Sequence, residues 1–287
     1  NSTLADRWIA SRLNAVIKEV QAALSDYRFN DVASALYQFI WHEYCDWYVE
    51  LSKPALNQKD DGALRKTTQT TLVRTLETAL RLLHPVMPFI TEEIWQKLPN
   101  GVKGKGSRGK VESIMVAAFP VADEQVINPE AEQDMQMVMD LILAVRNIRG
   151  VMNIPPSTQL TVIVKPGNGE LGSHLAKNSE YVKTLARVKE LRINVNETKP
   201  RAAATGVIKG AEVYVPLEGV LDLDEERARL SKEIEKVTKD ADMFAKKLSN
   251  KNFVDKAPKA VVEKDTARLE ELKAMGEKLE QSMKMLG

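Results

Sequence analysis

The stretch from Asn30 to Pro54, NDVASALYQFIWHEYCDWYVELSKP, constrains the fold of this chain more than any other. Eight of the chain's sixteen aromatic residues lie between Tyr27 and Tyr48. Side chains of that size are stabilised by burial only when neighbours enclose them on more than one side. Val32, Leu36, Phe39, Ile40, Trp47 and Leu51 recur at helical spacing and define a buried face. Asn30 is a good N-cap, and Pro54 is expected to end the helix after Ser52 and Lys53. The other face carries Gln38, His42, Glu43, Asp46 and Glu50. The segment therefore predicts the central helix of a bundle. Its polar edge, with half-buried Trp41 and Asp46, suits a ligand with flat rings.

Three further helices complete that bundle. Thr3 with Asp6 is a capping box ahead of the stripe Leu4, Trp8, Ile9, Leu13, Ile17, Val20 and Leu24. A helix from about Ala63 to His84 turns Leu64, Leu72, Leu76, Leu80 and Leu83 inward, until Pro85-Val86-Met87-Pro88 breaks it. A short helix from Phe89 to Leu98 carries Trp95. Short connections between four helices predict an antiparallel bundle.

The loop Pro99 to Lys110, PNGVKGKGSRGK, matches two phosphate-binding patterns by letter alone. Both patterns need a strand before the loop and a helix after it, so that helix N-terminal amides face phosphate. Here a helix precedes the loop, Val111 stands where a magnesium-binding hydroxyl belongs, and Ser113 to Phe119 reads as extended. Residues 101–110 are expected to be a basic surface loop.

Asn128-Pro129 opens a helix to about Met152 that bears Arg146 and Arg149 on one side. Ser157 to Leu221 then alternates in type. Strands are expected at Leu160–Val164, Leu191–Val195, Ala202–Ile208 and Ala211–Pro216, with a helix at Asn178–Arg187 and a hairpin turn at Lys209-Gly210. From Asp222 the pattern changes to a 3-4 repeat. It runs through Leu223, Leu230, Ile234, Val237, Ala241, Phe244 and Leu248, and again through Val262, Leu269, Leu272, Leu279, Met283 and Leu286. Arg227, Asp265 and Gly276 interrupt the seams. Ser249 to Pro258 allows only a reversal, so the two helices fold back as an arm roughly 40 Å long at 1.5 Å per residue. Lys246, Lys247, Lys251, Lys256 and Lys259 gather at its tip against Asp255 alone. The fold class is thus mainly α, divided into a helical bundle (1–120), a helix with a small α/β domain (121–221) and a coiled-coil arm (222–287).

Composition removes other classes of function. Lys+Arg number 41 and Asp+Glu 40, so electrostatic attraction must be local. Cys45 is the single cysteine, which excludes an intrachain disulfide and suits a reducing cytoplasm. His42, His84 and His174 lie in different elements, and no metal-ligand or nucleophile spacing occurs. No apolar run reaches the roughly 20 residues of a membrane span, and no signal peptide opens the chain. The chain begins with Asn1 rather than Met, and we expect it to be a piece of a longer protein.

The stretches TLADRWI, FIWHEYCDWYVELSKP, LLHPVMPFITEEIW and AVRNIR resemble the region that follows the catalytic domain in class I aminoacyl-tRNA synthetases. PLEGVLDLDEERARLSKEI and NKNFVDKAPKAVVEKD are similar to the C-terminal arm of the bacterial valyl-tRNA synthetase family. The resemblance covers essentially the whole chain. It implies that the bundle reads the anticodon and the arm touches the outer corner of the tRNA. The family's His-Ile-Gly-His and Lys-Met-Ser-Lys-Ser signatures are absent from this sequence. No active site or cofactor is therefore expected here, since ATP and magnesium belong to the catalytic domain. The implied partners are tRNA for valine and the enzyme's own catalytic domain, with the protein a monomer.

RNA readers splay bases onto aromatic or guanidinium planes and bond their edges. The candidates for anticodon contact are Arg28, Trp41, His42, Asp46 and Trp95. Those for phosphate contact are Lys246, Lys247, Lys251 and Lys256, with Arg146 and Arg149 serving RNA or a neighbouring domain. The competing reading is a protein-interaction scaffold that docks partners along the seam or an apolar stripe.

Overall fold

The computed structural model describes residues 2–58, 62–99, 101–103, 111–250, 253 and 258–286. They form two compact units, residues 1–139 with 177–185 and residues 140–176 with 186–287.

The first unit is the helical bundle. Helix α1 spans Leu4–Ser25 and starts at the expected capping box: Thr3 Oγ1 accepts from the Asp6 amide, and Asp6 Oδ2 accepts from the Thr3 amide, both at 3.0 Å. A tight turn leads to a continuous rod made of α2 (Phe29–Tyr37), a π-helical segment (Gln38–Tyr48) and α3 (Val49–Asn57). Two expectations for this rod are corrected. The N-cap is Arg28 rather than Asn30, whose side chain instead donates to Asp31. Pro54 does not end the helix but lies inside α3, about one turn before its end, because it removes only the bond from its own N–H and does not prevent the following residues from staying helical. The π-helical segment also shifts the buried face. Phe39, Tyr44 and Tyr48 go inside, spaced by five and four, the repeat of an i→i+5 ladder. Ile40 and Trp47, chosen on the α-helical period, are only partly buried.

Helices α4 (Gly62–Leu83) and α5 (Pro88–Lys97) follow, broken apart at Pro85 to Pro88 as anticipated. The inward face of α4 takes in Leu80 from the leucine stripe, with Leu64, Leu72, Leu76 and Leu83 only partly buried. Thr68, Thr75, Glu77, Ala79, Leu80 and Leu82 are buried, because polar members of that face find buried partners. Thr68 Oγ1 donates to Asp6 at 2.9 Å, and Asp6 also accepts from the Tyr48 hydroxyl at 2.7 Å. The segment expected to be extended after the basic loop contains a 3₁₀ turn, Ile114–Val116. The Ser113 hydroxyl caps this turn and also donates to Glu92. Helix α6 (Pro129–Val151) begins where Asn128-Pro129 predicted, with Asn128 Oδ1 accepting from the Ala131 amide.

The second unit holds a four-stranded sheet in the order β2-β1-β4-β3, where β1 is Leu160–Pro166, β2 Val188–Ile193, β3 Ala203–Ile208 and β4 Ala211–Pro216. β1 and β2 run parallel, and the other neighbours are antiparallel. The Lys209-Gly210 turn is as read, with Gly210 at φ +82° supplying the left-handed backbone that favours glycine. Between β1 and β2 in sequence come α7 (Gly169–Lys177), which the sequence reading missed, and α8 (Ser179–Ala186), all but the last residue of which belongs to the first unit. Gly206 lets β3 approach the end of α6, since a Cβ there would meet Ile148 at 3.4 Å. The arm is an antiparallel pair, α9 (Leu223–Ser249) and α10 (Lys259–Met285), and Asp222 caps α9 through the amides of Asp224 and Glu225. Every seam residue named above is buried or partly buried.

Candidate nucleic-acid interface

The outer face of the composite rod presents a linked set of rings. Tyr37 and Trp41, four residues apart, stack with centroids 6.3 Å apart and planes 5° from parallel. Tyr37 also meets the His42 ring edge-on at 5.5 Å, and His42 Nδ1 lies 3.1 Å from Asp46 Oδ2. Trp41 is 55% exposed and Tyr37 60%, so two flat apolar faces reach solvent beside a carboxylate–imidazole pair. This arrangement can stack a base and bond its edge. The polar edge divides in two. Glu43 turns inward to a bidentate pair with Arg12 of α1, at 2.9 and 3.0 Å, which raises the Arg12 pKa. His42 and Asp46 remain outside.

The turn before α2 adds two more exposed rings, Tyr27 and Phe29, in edge-to-face contact at 6.3 Å. Tyr27 has φ 56°, an uncommon conformation for a residue with a bulky side chain. Arg28 beside it is exposed but already paired with Asp31 and Asp26. Beneath the outer face, burial pushes the Tyr44 phenol up to about 12, and burial together with Asp6 raises Tyr48 further.

Trp95 is corrected. It is 0% exposed, packs with Leu80 and Ile114, and donates from Nε1 to Glu77 at 3.0 Å. Glu77 in turn holds Arg81 at 2.9 Å. A tryptophan so enclosed is a core residue and offers no face to a base. Conversely, the sequence reading passed over Tyr37 and Phe89, which are both exposed. The i,i+4 pairing of Tyr37 with Trp41 was the available signal for the first. Nothing in the spacing of Phe89 singles it out.

On the arm, Lys246 and Lys247 are exposed in the last turn of α9, where cations complement the helix dipole. Lys247 is engaged with Asp265 at 2.7 Å, so a phosphate would have to share it with that carboxylate. Lys251 and Lys256, together with Asp255 and loop residues 104–110, lie outside the described residues. Arg146 is exposed, whereas Arg149 donates to the carbonyl oxygens of Ala186 and Arg187 at 2.9 to 3.2 Å. Burial, aided by Arg187, lowers the Arg149 pKa. Arg149 thus braces backbone within its own unit, where the sequence reading offered RNA or a neighbouring domain.

The structure thus joins, in sequence, a helical bundle with solvent-facing stacked rings to a coiled-coil arm. Residues 6–164 match the anticodon-binding domain of tRNA ligase, and the chain belongs to that family. Residues 222–287 match the valyl tRNA synthetase tRNA binding arm. The chain is 48% identical over 267 residues to the valine–tRNA ligase of Syntrophotalea carbinolica, covering 93% of this chain and 29% of that protein. It is 45% identical to the valine–tRNA ligase of Geobacter sulfurreducens, with the same shares covered, and 41% identical to that of Bacillus subtilis, covering 92% and 29%. The chain therefore spans less than a third of the length of these relatives. No helix among the described residues is long and apolar enough to cross a membrane.

Proposed function

We propose that this chain is the tRNA-recognition part of a valine–tRNA ligase, in which residues 1–120 read the anticodon, 121–221 connect, and 222–287 hold the RNA backbone. The observation that carries this reading is the Trp41–Tyr37–His42–Asp46 array, exposed on a bundle of the anticodon-binding family. The stacked rings supply a platform for an unstacked base, and the Asp46 carboxylate accepts from an exocyclic amine or ring N–H. His42 orients Asp46, Arg28 offers its guanidinium to the anticodon beside the exposed rings of Tyr27 and Phe29, and Lys246 draws the backbone in. The proposed partner is tRNA for valine. Ligation itself, with ATP and magnesium, belongs to the remainder of the parent enzyme, a cytoplasmic monomer, and this chain holds no cofactor.

The test is a mobility-shift titration with tRNA for valine and with a non-cognate tRNA. Asp46→Ala should narrow the preference for the valine anticodon by about 1–3 kcal/mol, the range for one base contact. Its fold should survive, because Asp46 is exposed. Equal discrimination by the folded variant would remove Asp46 from the site.

A further inference from the structure

Three residues break the apolar repeat of the arm, and each touches the opposite helix. Arg227 Nη2 donates to the Leu286 carbonyl oxygen at 2.9 Å. A Cβ at Gly276 would lie 3.8 Å from Val237 Cγ1. Asp265 is only 8% exposed, and Lys247 Nζ lies 2.7 Å from its Oδ2, placed as an ion pair rather than as an aligned hydrogen bond. The same ammonium sits 4.7 Å from the centroid of the Phe253 ring. These contacts step ten residues at a time along α9, at 227, 237 and 247, and ten or eleven back along α10, at 286, 276 and 265. They describe one register from the base of the hairpin towards its far end.

An apolar seam alone leaves that register loosely specified, because a slip of one heptad returns apolar residues to apolar partners. A buried carboxylate does not tolerate such a slip, since it would lose its cation inside the seam. We propose that the Lys247–Asp265 pair is a register lock that sets where the basic end of the arm meets RNA. Lys247 is then a positioning residue, and Asp265 places polarity in the seam in exchange for a single alignment. This proposal rests on the reading of the arm as an RNA-binding surface.

The experiment uses the full chain in a Cys45→Ser background, with spin labels at positions 236 and 278, both exposed and on opposite helices. Distances are measured by double electron–electron resonance, beside thermal unfolding and binding of tRNA for valine. The unsubstituted arm should give one distance. Asp265→Leu should add a second, longer distance, because a one-heptad slip offsets the two facing labels by about 10 Å along the arm axis at 1.5 Å per residue. Its unfolding midpoint should be no lower, because replacing a buried pair by apolar packing is often neutral or stabilising. Its tRNA affinity should nevertheless fall, by about fivefold or more, as for lost phosphate contacts. The exchanged pair, Lys247→Asp with Asp265→Lys, should restore both the single distance and the affinity. An unchanged single distance in Asp265→Leu overturns the lock. Recovery of distance without affinity in the exchanged pair makes Lys247 an RNA contact and overturns its positioning role. Failure of the unsubstituted chain to bind tRNA would remove the RNA reading, while the distances would still decide the register.

Discussion

Two tryptophans separate reading from folding. Trp41 is more than half exposed and touches Tyr37, whereas Trp95 is enclosed and bonded to Glu77. Truncating Trp41 to alanine removes one exposed aromatic pair, which contributes about 0.5–1.5 kcal/mol to stability. The same change removes a stacking surface, and base–aromatic stacking is worth about 1–3 kcal/mol per base. The affinity for tRNA should therefore drop by roughly 5- to 150-fold while the urea midpoint moves little. Trp95→Ala should behave oppositely. Truncating a fully buried tryptophan costs about 3–5 kcal/mol, to which the loss of a buried partner for Glu77 adds. That is a large share of a domain stability of about 5–15 kcal/mol. Urea unfolding followed by far-ultraviolet circular dichroism, paired with fluorescence titration of tRNA at fixed salt, measures both quantities. If Trp41→Ala lost stability as severely as Trp95→Ala and bound tRNA undiminished, the assignment of the outer rod face to base stacking would be wrong.

Two further outcomes are expected. Changing Lys246, Lys251 and Lys256 to alanine should flatten the slope of log affinity against log salt by about two to three units, equally for cognate and non-cognate tRNA. An unchanged slope would assign the arm to something other than RNA backbone. The Tyr44 phenol, whose pKa burial pushes up to about 12, should titrate in the folded chain well above its usual value when followed by ultraviolet difference absorbance. Because the unfolded chain releases that proton near pH 10, stability should be constant below about pH 10 and decline as pH climbs towards 12. A phenol that ionised with ordinary tyrosines in the native chain would contradict its burial.

The arm was legible because its signal is one-dimensional. Leucines at 3-4 spacing, a capping Asp222 and a short reversal leave one economical packing, and Leu230, Val237, Leu272 and Leu286 are buried as that packing requires. Pairing at residue level was less legible: Asp265 looked like an interruption until Lys247 stood opposite it. In the bundle, the helices and the inner face of α1 were readable, since Leu4, Trp8, Ile9, Leu13, Ile17 and Val20 are buried, but most of the inner face of α4 was not. The α4 face includes Thr68 and Glu77, because Asp6, Trp95 and Arg81 satisfy them, and those partners are 62, 18 and four residues away. Hydropathy periodicity cannot register a polar group whose partner comes from another helix. The same blindness put Trp95 among the candidates: the packing of α5 against α4 that encloses it leaves no mark in its own spacing.

The π-helical segment Gln38–Tyr48 makes the winding of one rod fix its inner and outer faces together. Residues on its inner side, Phe39, Tyr44 and Tyr48, alternate along the chain with the outer residues Trp41, His42 and Asp46. Neither set can rotate without the other. A segment of this kind behaves like an α-helix that has absorbed one extra residue, and deleting one residue within it would rewind the rod and turn everything downstream by about 100°, the angle of one residue at 3.6 per turn. The Tyr48 hydroxyl would then swing away from Asp6, and the angle between Trp41 and Asp46 would change in the same motion. The hydrogen bond at Asp6 therefore acts as an angular stop, indexing the outer face against the bundle from 42 residues away in sequence.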